Sequence, residues 1–376
     1  MEWTPLSRKR LVTKTWLMAG CLALLLSACA GAPSPTPAAP APIQVDVRVV
    51  TDEPDAVLAI VAVRDAERPV ADSLWQNLFR TDGYTRLKAR ELSRRRAFTD
   101  SAFRAFVESP ELAARAPALH RTLDGWRHID ARAAAARALA YLPAGTRLRA
   151  RMYPEIKPLP NSFVFELETN PAIFVYLDPT RPPAQVENTL AHELHHVGVS
   201  AACRAASDSS LPATLRRARD WASGFDEGRA MLAAAGGPDV DPHATSTAAE
   251  HAVWDRSLAR APADIPRLER FFADVLDGRL QGDSLTRAGF TFVNADGVPQ
   301  GPFYTVGWLM SAVVEKELGR ARLVATLCDP PAFLADYQRA AERVNRRGGG
   351  PVVRGAPVPL PLWSDTLLRR LAGGTA

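Results

Sequence analysis

Five consecutive residues constrain the fold of this 376-residue chain more than any other feature. They read H-E-x-x-H and are His192, Glu193, Leu194, His195 and His196. On an α-helix, side chains four residues apart lie on one face, so His192 and His196 can both reach a single zinc ion. Glu193 lies roughly 100° further round the helix. Its carboxylate can contact a water molecule beside the ion without being a ligand. The motif therefore predicts a helix that carries two metal ligands and a general base.

The residues that precede the motif predict a small β-sheet. Residues 162–167 and 172–177 are short runs rich in aromatic and β-branched residues, and residues 146–153 alternate with a period of two. Pro182 and Pro183 follow, and apolar residues then recur at helical spacing into the motif. We therefore expect three strands and then the helix that carries the histidines. An edge strand in this position can hold an extended substrate beside the metal.

Most of the remaining chain has the pattern of α-helices. It is rich in alanine and leucine from residue 53 to about residue 142, and it is again helical after the motif to about residue 345. Residues 290–297 interrupt the second stretch and predict a turn region. The apolar residues of the first stretch that we expect in the core are Trp75, Leu78, Leu87, Phe103, Phe106 and Trp126. The predicted fold class is α+β, mostly α-helical, with a small mixed β-sheet before the H-E-x-x-H helix.

A single domain is expected over residues 43–345, because no internal repeat and no second linker divides it. Its expected parts are a helical segment over residues 43–142, the sheet with the zinc helix over residues 143–203, and a second helical segment over residues 204–345. The tail, residues 346–376, begins with a stretch rich in glycine and proline that we expect to pack loosely. Trp363, Leu367 and Leu368 are placed to dock as a last short helix.

Residues 1–28 have the pattern of a bacterial lipoprotein signal peptide. Four basic residues precede a short apolar run that ends in Leu26-Ser27-Ala28-Cys29. The run is too short to span a bilayer comfortably, and the small residues before Cys29 favour cleavage there over an ordinary secretory peptide or an uncleaved anchor. Lipid on Cys29 would attach the exported protein to the cell envelope through a Pro- and Ala-rich tether, residues 29–42. Ala30, in place of aspartate, favours the periplasmic side of the outer membrane in a Gram-negative cell.

The charge of the mature chain argues against a nucleic-acid partner. The full sequence has 46 Lys and Arg against 41 Asp and Glu, but four of the basic residues and Glu2 lie in the signal segment. The mature chain therefore keeps 42 basic and 40 acidic residues, a net charge near +2. It contains no sustained basic patch with interleaved aromatic residues. The sequence gives no indication of the oligomeric state.

Two cysteines lie beyond the signal segment and the lipidation site, namely Cys203 and Cys328. In an oxidising compartment they can pair as a disulfide, and two separately buried thiols are an equally good interpretation. Neither cysteine has the spacing of a zinc knuckle.

A third protein ligand is needed, because catalytic zinc usually takes three and leaves one position for water. A histidine six residues after His196, with a glycine between, is excluded because Val199 and Ala202 occupy those positions. The other common solution is a carboxylate on a second helix. Glu227 fits it, since small residues including Gly228 follow and would let that helix pack close to the zinc helix. The rival ligands are Asp226, His243, Glu250 and His251.

The H-E-x-x-H motif followed by Asp226–Ala230 resembles the gluzincin class of zinc metallopeptidases, in which a Glu in an E-G-x-A-like segment supplies the third ligand. Residues 301–310, 319–320 and 329–334 are similar to a largely uncharacterised group of zinc-dependent peptidases within that class. The resemblance extends over roughly residues 50 to 345. It implies a zincin-like fold, bound Zn²⁺, a peptide or protein substrate, and Glu227 as the third ligand.

The resemblance also implies a mechanism for peptide-bond hydrolysis. Zinc lowers the pKa of a bound water molecule and polarises the scissile carbonyl. Glu193 takes the proton of that water and passes it to the leaving amine. Tyr304 is the candidate donor that stabilises the oxyanion, although a core tyrosine is an equally good interpretation and His251 is a rival donor. His195 points to the other side of His192 and is expected to be an outer residue of the site or a surface residue.

Two other functions are compatible with these residues. One is a lipoprotein that binds zinc or a partner without catalysis, which the intact Glu193 argues against because a binding site does not need that base. The other is a zinc hydrolase that acts on an ester or a cell-wall amide, since the metal chemistry is shared and specificity lies in loops. Our preferred hypothesis is a membrane-anchored zinc-dependent peptidase.

Overall fold

The computed structural model describes residues 44–203, 210–294 and 300–374. The predicted signal peptide, the lipidation site Cys29 and the tether lie outside these residues. The described chain is mostly helical and contains a small mixed sheet, which confirms the predicted fold class. Across the described residues, none of the helices combines the length and the apolar character that crossing a bilayer requires.

Strand β1 (Val45–Val49) leads into the first helical part of the chain. Its helices are α1 (Asp52–Asp65), α2 (Asp72–Arg80), α3 (Asp82–Ser93), α4 (Asp100–Val107), α5 (Pro110–Trp126) and α6 (Ala131–Leu139). Side chains that accept a hydrogen bond from the first helical turn cap α3 to α6, and these are Thr81, Thr99, Ser109 and Asp130. The core residues predicted for this part are buried, except Phe106, which is half-buried.

The three predicted strands are present as β2 (Leu148–Glu155), β3 (Phe163–Phe165) and β4 (Ala172–Tyr176). They join β1 in a sheet of order β1-β2-β4-β3, in which β1 and β4 run parallel to β2 and β3 is antiparallel to β4. Helices α6 and α7 pack on the sheet through β1 and β2, and α1 also contacts β2. The sheet therefore packs against both the first helical part of the chain and the helix that carries the motif.

The strand boundaries differ from the prediction for identifiable reasons. Strand β2 begins two residues late, because Leu148 is where it pairs with Val45 of β1. Strand β3 is shorter than predicted, because Glu166 has a φ of 52° and begins a turn that ends the strand. Strand β1 was not predicted at all, although its Val-Asp-Val-Arg-Val sequence alternates with the strand period.

After β4 the chain forms α7 (Pro183–Ala202), the helix that contains the motif. The following helices are α8 (Ala213–Ala222), α9 (Asp226–Ala235), α10 (Ala248–Ala259), α11 (Ala261–Leu276), α12 (Gly282–Phe290), α13 (Pro302–Leu318), α14 (Arg320–Ala325), α15 (Pro330–Arg347) and α16 (Asp365–Ala372). A 3₁₀ turn, Ser223–Phe225, joins α8 to α9. Helix α9 lies between α7 and α13 and contacts both along its length. The chain turns directly after α12 over residues 291–294, as predicted, and residues 295–297 of the predicted turn region lie outside the described residues.

The core consists of two apolar clusters. One joins the sheet to helices α1 to α7, and the other joins helices α8 to α16 around α13. A disulfide between Cys203 and Cys328 links the end of α7 to the turn between α14 and α15, which decides between the two interpretations of these cysteines.

The tail after α15 is packed against the second cluster. Val353, Leu360 and Trp363 are buried there, and Asn345 hydrogen-bonds both backbone groups of Leu360. The prediction of a loosely packed tail was therefore wrong, because its glycines and prolines shape turns between apolar anchors. Helix α16 docks as predicted and buries Leu367.

Candidate metal centre

Helix α7 positions the two histidines of the motif by its own geometry. Pro183 occupies its first turn, where the missing N–H has no intrahelical partner to lose. The helix then runs unbroken for 20 residues, and buried apolar side chains, including Leu190 and Leu194, fix its back against the sheet cluster. His192 and His196 therefore project from the opposite side, one turn apart, with their ring centroids 4.8 Å from each other.

Helix α9 brings Glu227 to the same place. It begins at Asp226, so Glu227 lies in its first turn, and its position depends on close contact with α13. A Cβ atom on Gly228 would lie 2.0 Å from the backbone nitrogen of Trp308. Gly228 thus permits contact between α9 and α13, whereas the sequence had suggested that its small size would permit contact with α7. This contact still fixes the position of Glu227, because α9 packs tightly against α13.

Three ligand atoms converge between these helices. His192 Nε2 and Glu227 Oε2 are 3.1 Å apart, His196 Nε2 and Glu227 Oε2 are 3.2 Å apart, and the two imidazole Nε2 atoms are 3.1 Å apart. The exposed fractions of the side chains are 4% for His192, 19% for His196 and 6% for Glu227. Among the described residues, these three form the group of histidine and carboxylate side chains that can hold a metal ion.

The spacing of these atoms fits a tetrahedral zinc site. Zinc binds histidine nitrogen and carboxylate oxygen at about 2.0–2.1 Å, and two ligands of a tetrahedral ion at that distance lie about 3.3 Å apart. The observed separations, 3.1–3.2 Å, agree closely. The two imidazole Nε2 atoms face each other at 3.1 Å, and an ion between them would use the lone pair that each neutral ring can present. The donor set therefore fits zinc with three protein ligands.

The charges at the centre favour a bound cation. Burial would raise the pKa of Glu227, but the two histidines outweigh that effect and lower the pKa well below its ordinary value. Burial would lower the pKa of His196, but the Glu227 carboxylate raises it to about 9. The carboxylate thus stays ionised inside the protein, and it attracts positive charge to the point where the three ligand atoms meet.

Glu193 lies beside the centre but outside its ligand set. Its side chain is buried, and among the described residues its Oε1 atom has no hydrogen-bond partner. Burial raises the pKa of Glu193, and the nearby charges of His192 and His196 oppose that rise only in part. A buried carboxylate with a free oxygen and a raised pKa is suited to accept and release a proton near neutral pH.

Tyr304 reaches the centre from the first turn of α13. Its buried ring lies parallel to the ring of His192, with centroids 6.1 Å apart, and its hydroxyl donates a hydrogen bond to Glu227. Burial, followed by the charges of Glu227 and Glu193, raises the pKa of Tyr304 well above its ordinary value, so the hydroxyl keeps its proton. The structure therefore brings Tyr304 together with the three ligands and Glu193.

The rival ligands are engaged elsewhere. His251 pairs with Asp241 at 2.6 Å, and His243 contacts Ser246 and Gln300. Glu250 caps the first turn of α10. None of these histidine and carboxylate groups joins the three ligand atoms within the described part of the chain.

Asp226 and His195 are neighbours of the ligands in the chain but do not belong to the ligand set. Asp226 precedes the third ligand and is 3.5 Å from Arg229, a buried residue that the sequence did not single out and whose guanidinium also lies over the ring of Phe333. His195 is fully buried, so its interpretation as a surface residue was wrong. Burial lowers the pKa of His195 well below its ordinary value, and the ring stays neutral.

Comparison with known proteins gives one positive finding. Residues 75–346 match the model of a family described as "Putative zinc dependent peptidase (DUF5700)". The matched segment covers 272 of the 376 residues and contains the three ligands, Glu193 and Tyr304. No curated protein and no solved structure gives a significant match to the chain.

Proposed function

The chain belongs to this family, and from that premise we propose that it hydrolyses peptide bonds at a gluzincin-type zinc centre formed by His192, His196 and Glu227. The observation that carries the proposal is the convergence of the three ligand atoms at the spacing of tetrahedral zinc ligands. The donor set of two imidazoles and one carboxylate is that of a catalytic zinc site, which leaves one position open.

In the proposed mechanism, Glu193 is the general base. Bound zinc supplies a Lewis acid that polarises the scissile carbonyl and makes water a better nucleophile near neutral pH. Glu193 accepts the proton of the attacking water and then delivers it to the leaving amine, so the carboxylate ends each turnover ionised again. Its burial and its unpartnered oxygen support this role, because a carboxylate already engaged in strong hydrogen bonds would be a weaker base.

Tyr304 is the proposed donor for the oxyanion. Its hydroxyl stays protonated and already lies at the centre, where it donates to Glu227 before substrate binds. That bond holds the hydroxyl in place and orients the Glu227 carboxylate at the same time. Donation to the developing oxyanion would replace the bond to Glu227, and a donor that is positioned in advance needs little reorganisation.

The substrate is proposed to approach the centre from the side of His196. Of the three ligands, His196 is the one with an appreciably exposed side chain, at 19%, whereas His192 and Glu227 are almost fully covered. A buried centre that opens beside one ligand favours an extended, narrow substrate over a bulky folded one.

We also propose that the protein is exported and lipid-anchored through Cys29. The signal pattern, the small residues before Cys29 and the Pro-rich tether support this location. The disulfide between Cys203 and Cys328 adds independent support, because such bonds persist in oxidising compartments outside the cytoplasm.

The proposed function can be tested by comparing peptide cleavage by the wild type, Glu193→Gln and Glu187→Gln. Glu187 lies on the same helix, outside the centre, and is the matched control. The Glu193→Gln variant should lose at least about 100-fold in turnover, while Glu187→Gln should keep wild-type activity. Peptide, ester and cell-wall amide substrates should be assayed in parallel. Turnover of esters alone, or a Glu193→Gln variant with full activity, would contradict the peptidase proposal.

A further inference from the structure

A cavity of about 590 Å³ opens beside the beginning of the zinc helix. Its walls are the C-terminal half of α5, the segment that leads into α7, and the loop before α10. Its volume is in the range of small-molecule sites. None of the three candidate metal ligands lines this cavity.

The cavity is separate from the metal centre. His192 lies nine residues after Pro183, which corresponds to about 14 Å along the helix. Two contacts cover the intervening surface of α7: Gln185 donates to Glu250, and Asn188 donates to the carbonyl of Pro242.

The lining of the cavity carries an excess of positive charge. Arg121 and Arg181 both line it, whereas no aspartate or glutamate does. Within the described residues, neither arginine side chain takes part in an ion pair or a hydrogen bond. The backbone of Arg181 is fixed, because its carbonyl accepts a hydrogen bond from the indole of Trp126 at 3.2 Å. The charge of Arg181 helps to lower the pKa of Glu250, but that carboxylate accepts its hydrogen bonds from Thr247 and Gln185.

Two further features of the lining are suited to an anion. Thr245 lines the cavity, and its buried Oγ1 atom has no hydrogen-bond partner among the described residues. The N-terminus of α7 also meets the cavity at Pro182 and Pro183, and no side chain caps it. The first turn of a helix of 20 residues carries partial positive charge and attracts anions.

We propose that this cavity binds a small anion that carries a carboxylate or phosphate group, held by the guanidinium groups of Arg121 and Arg181. Guanidinium groups bind carboxylate and phosphate oxygens in pairs, with charge-assisted hydrogen bonds that are stronger than neutral ones. The unpartnered hydroxyl of Thr245 can add one donor, and the partial positive charge at the start of α7 acts in the same direction, although Pro182 and Pro183 carry no N–H. This site does not depend on peptidase activity, since its residues are distinct from the metal ligands.

The test is isothermal titration calorimetry on the full chain, at constant ionic strength, with inorganic phosphate and separately with succinate. Saturable binding of either probe is expected in the wild type, and the stronger probe identifies the preferred group. Arg121→Gln and Arg181→Gln should each weaken binding about tenfold or more, the effect of losing one charged hydrogen bond. Arg287→Gln removes an exposed arginine of α12, away from the cavity, and should bind like the wild type.

Three results would overturn the proposal. The first is the absence of saturable binding of either probe. The second is an equal loss in the Arg287→Gln control, because binding would then reflect overall charge only. The third is binding that persists in both Arg121→Gln and Arg181→Gln but is lost in Glu227→Ala. In that case the anion would bind at the metal centre and not in the cavity.

Discussion

At Glu227, two opposing effects act on one carboxyl group. Burial alone would keep the group protonated, but the imidazoles of His192 and His196 lower its pKa well below the ordinary value. A protonated carboxyl group is a poor zinc ligand, so the lowered pKa favours the ionised form of Glu227 that can bind the metal. The three residues therefore depend on one another, and zinc should be lost when any one of them is removed.

The residues of the centre were predictable to different degrees. Helical spacing alone predicts that His192 and His196 lie together, and in the structure their Nε2 atoms are 3.1 Å apart. No sequence period relates Glu227 to them, because it reaches the centre through the contact between α7 and α9. Only the small residues that follow Glu227, and the family resemblance, pointed to it. Arg229 gave no signal, because a single arginine on a helix is usually exposed.

Gly228→Ala should destabilise the protein by about 3 kcal/mol or more. An alanine Cβ would lie 2.0 Å from the backbone nitrogen of Trp308, and backbone atoms cannot move aside as a flexible side chain does. The control is Gly237→Ala, because a Cβ on Gly237 would meet no neighbouring atom within 4 Å and the change should be tolerated. Urea denaturation of both variants measures the difference, and equal stability of the two would contradict the close contact between α9 and α13.

At Glu155, in contrast to Glu227, burial governs ionisation. Both of its carboxyl oxygens lack partners within the described residues, while neighbouring Glu53 accepts a hydrogen bond from the backbone of Ile156 at 3.1 Å. Burial raises the pKa of Glu155 well above its ordinary value, and the nearby charge of Glu53 adds to that effect, while Lys157 opposes it. Burial raises the pKa of Glu53 as well, but its hydrogen bond from Ile156 opposes that rise, so we infer that Glu155 is the partner that keeps its proton.

Stability should therefore fall as the pH rises from about 4.5. In that range the unfolded chain releases a proton that the folded protein retains on Glu155, so each increase in pH favours unfolding until the folded group also ionises. Glu155→Gln mimics the neutral form and should remove much of this dependence, with its advantage over the wild type growing toward alkaline pH. The control is Glu67→Gln, at an exposed position. Denaturation curves from pH 5 to 9 that run parallel for wild type and Glu155→Gln would refute the assignment.

Among the elements, the zinc helix and its neighbours were the most predictable part of the fold. Strands β2 and β4 alternate or are strongly apolar, and α7 has a proline start and an apolar back, so local pattern sufficed. Strand β1 was missed although its five residues alternate with the strand period, because it is short and directly follows the proline-rich segment. The packing of the tail was mispredicted because a composition rich in glycine and proline does not reveal that apolar residues such as Leu360 are buried against the core.

The disulfide between Cys203 and Cys328 acts at the level of elements. It joins the end of α7 to the turn before α15 across a separation of 125 residues. A crosslink over so long a loop restricts the unfolded chain strongly, and its loss should cost about 2–5 kcal/mol. The double variant Cys203→Ser, Cys328→Ser should therefore unfold at a lower temperature than the oxidised wild type. Addition of a reductant should lower the melting temperature of the wild type only, and an unchanged wild-type value would argue against the bond.

For the whole molecule, the metal centre lies where the two apolar clusters meet. Helix α7 belongs to the cluster built on the sheet, whereas Tyr304 belongs to the cluster around α13. Helix α9, which carries Glu227, packs between them. A metal ion bound by α7 and α9 would join the two halves of the core, so binding at one point should stabilise the molecule as a whole. Sequence patterns did not predict this division, because clusters form from contacts distant in the chain.

The most direct test of the central claim is the zinc content of the purified protein and its variants, measured by atomic emission after dialysis. We expect about one zinc per chain in the wild type, a sharp fall in Glu227→Ala, and wild-type content in Glu193→Gln and in Glu250→Gln, whose carboxylates lie outside the ligand set. A folded wild type without zinc, or a Glu227→Ala variant that retains it, would contradict the assignment of His192, His196 and Glu227 as the metal centre.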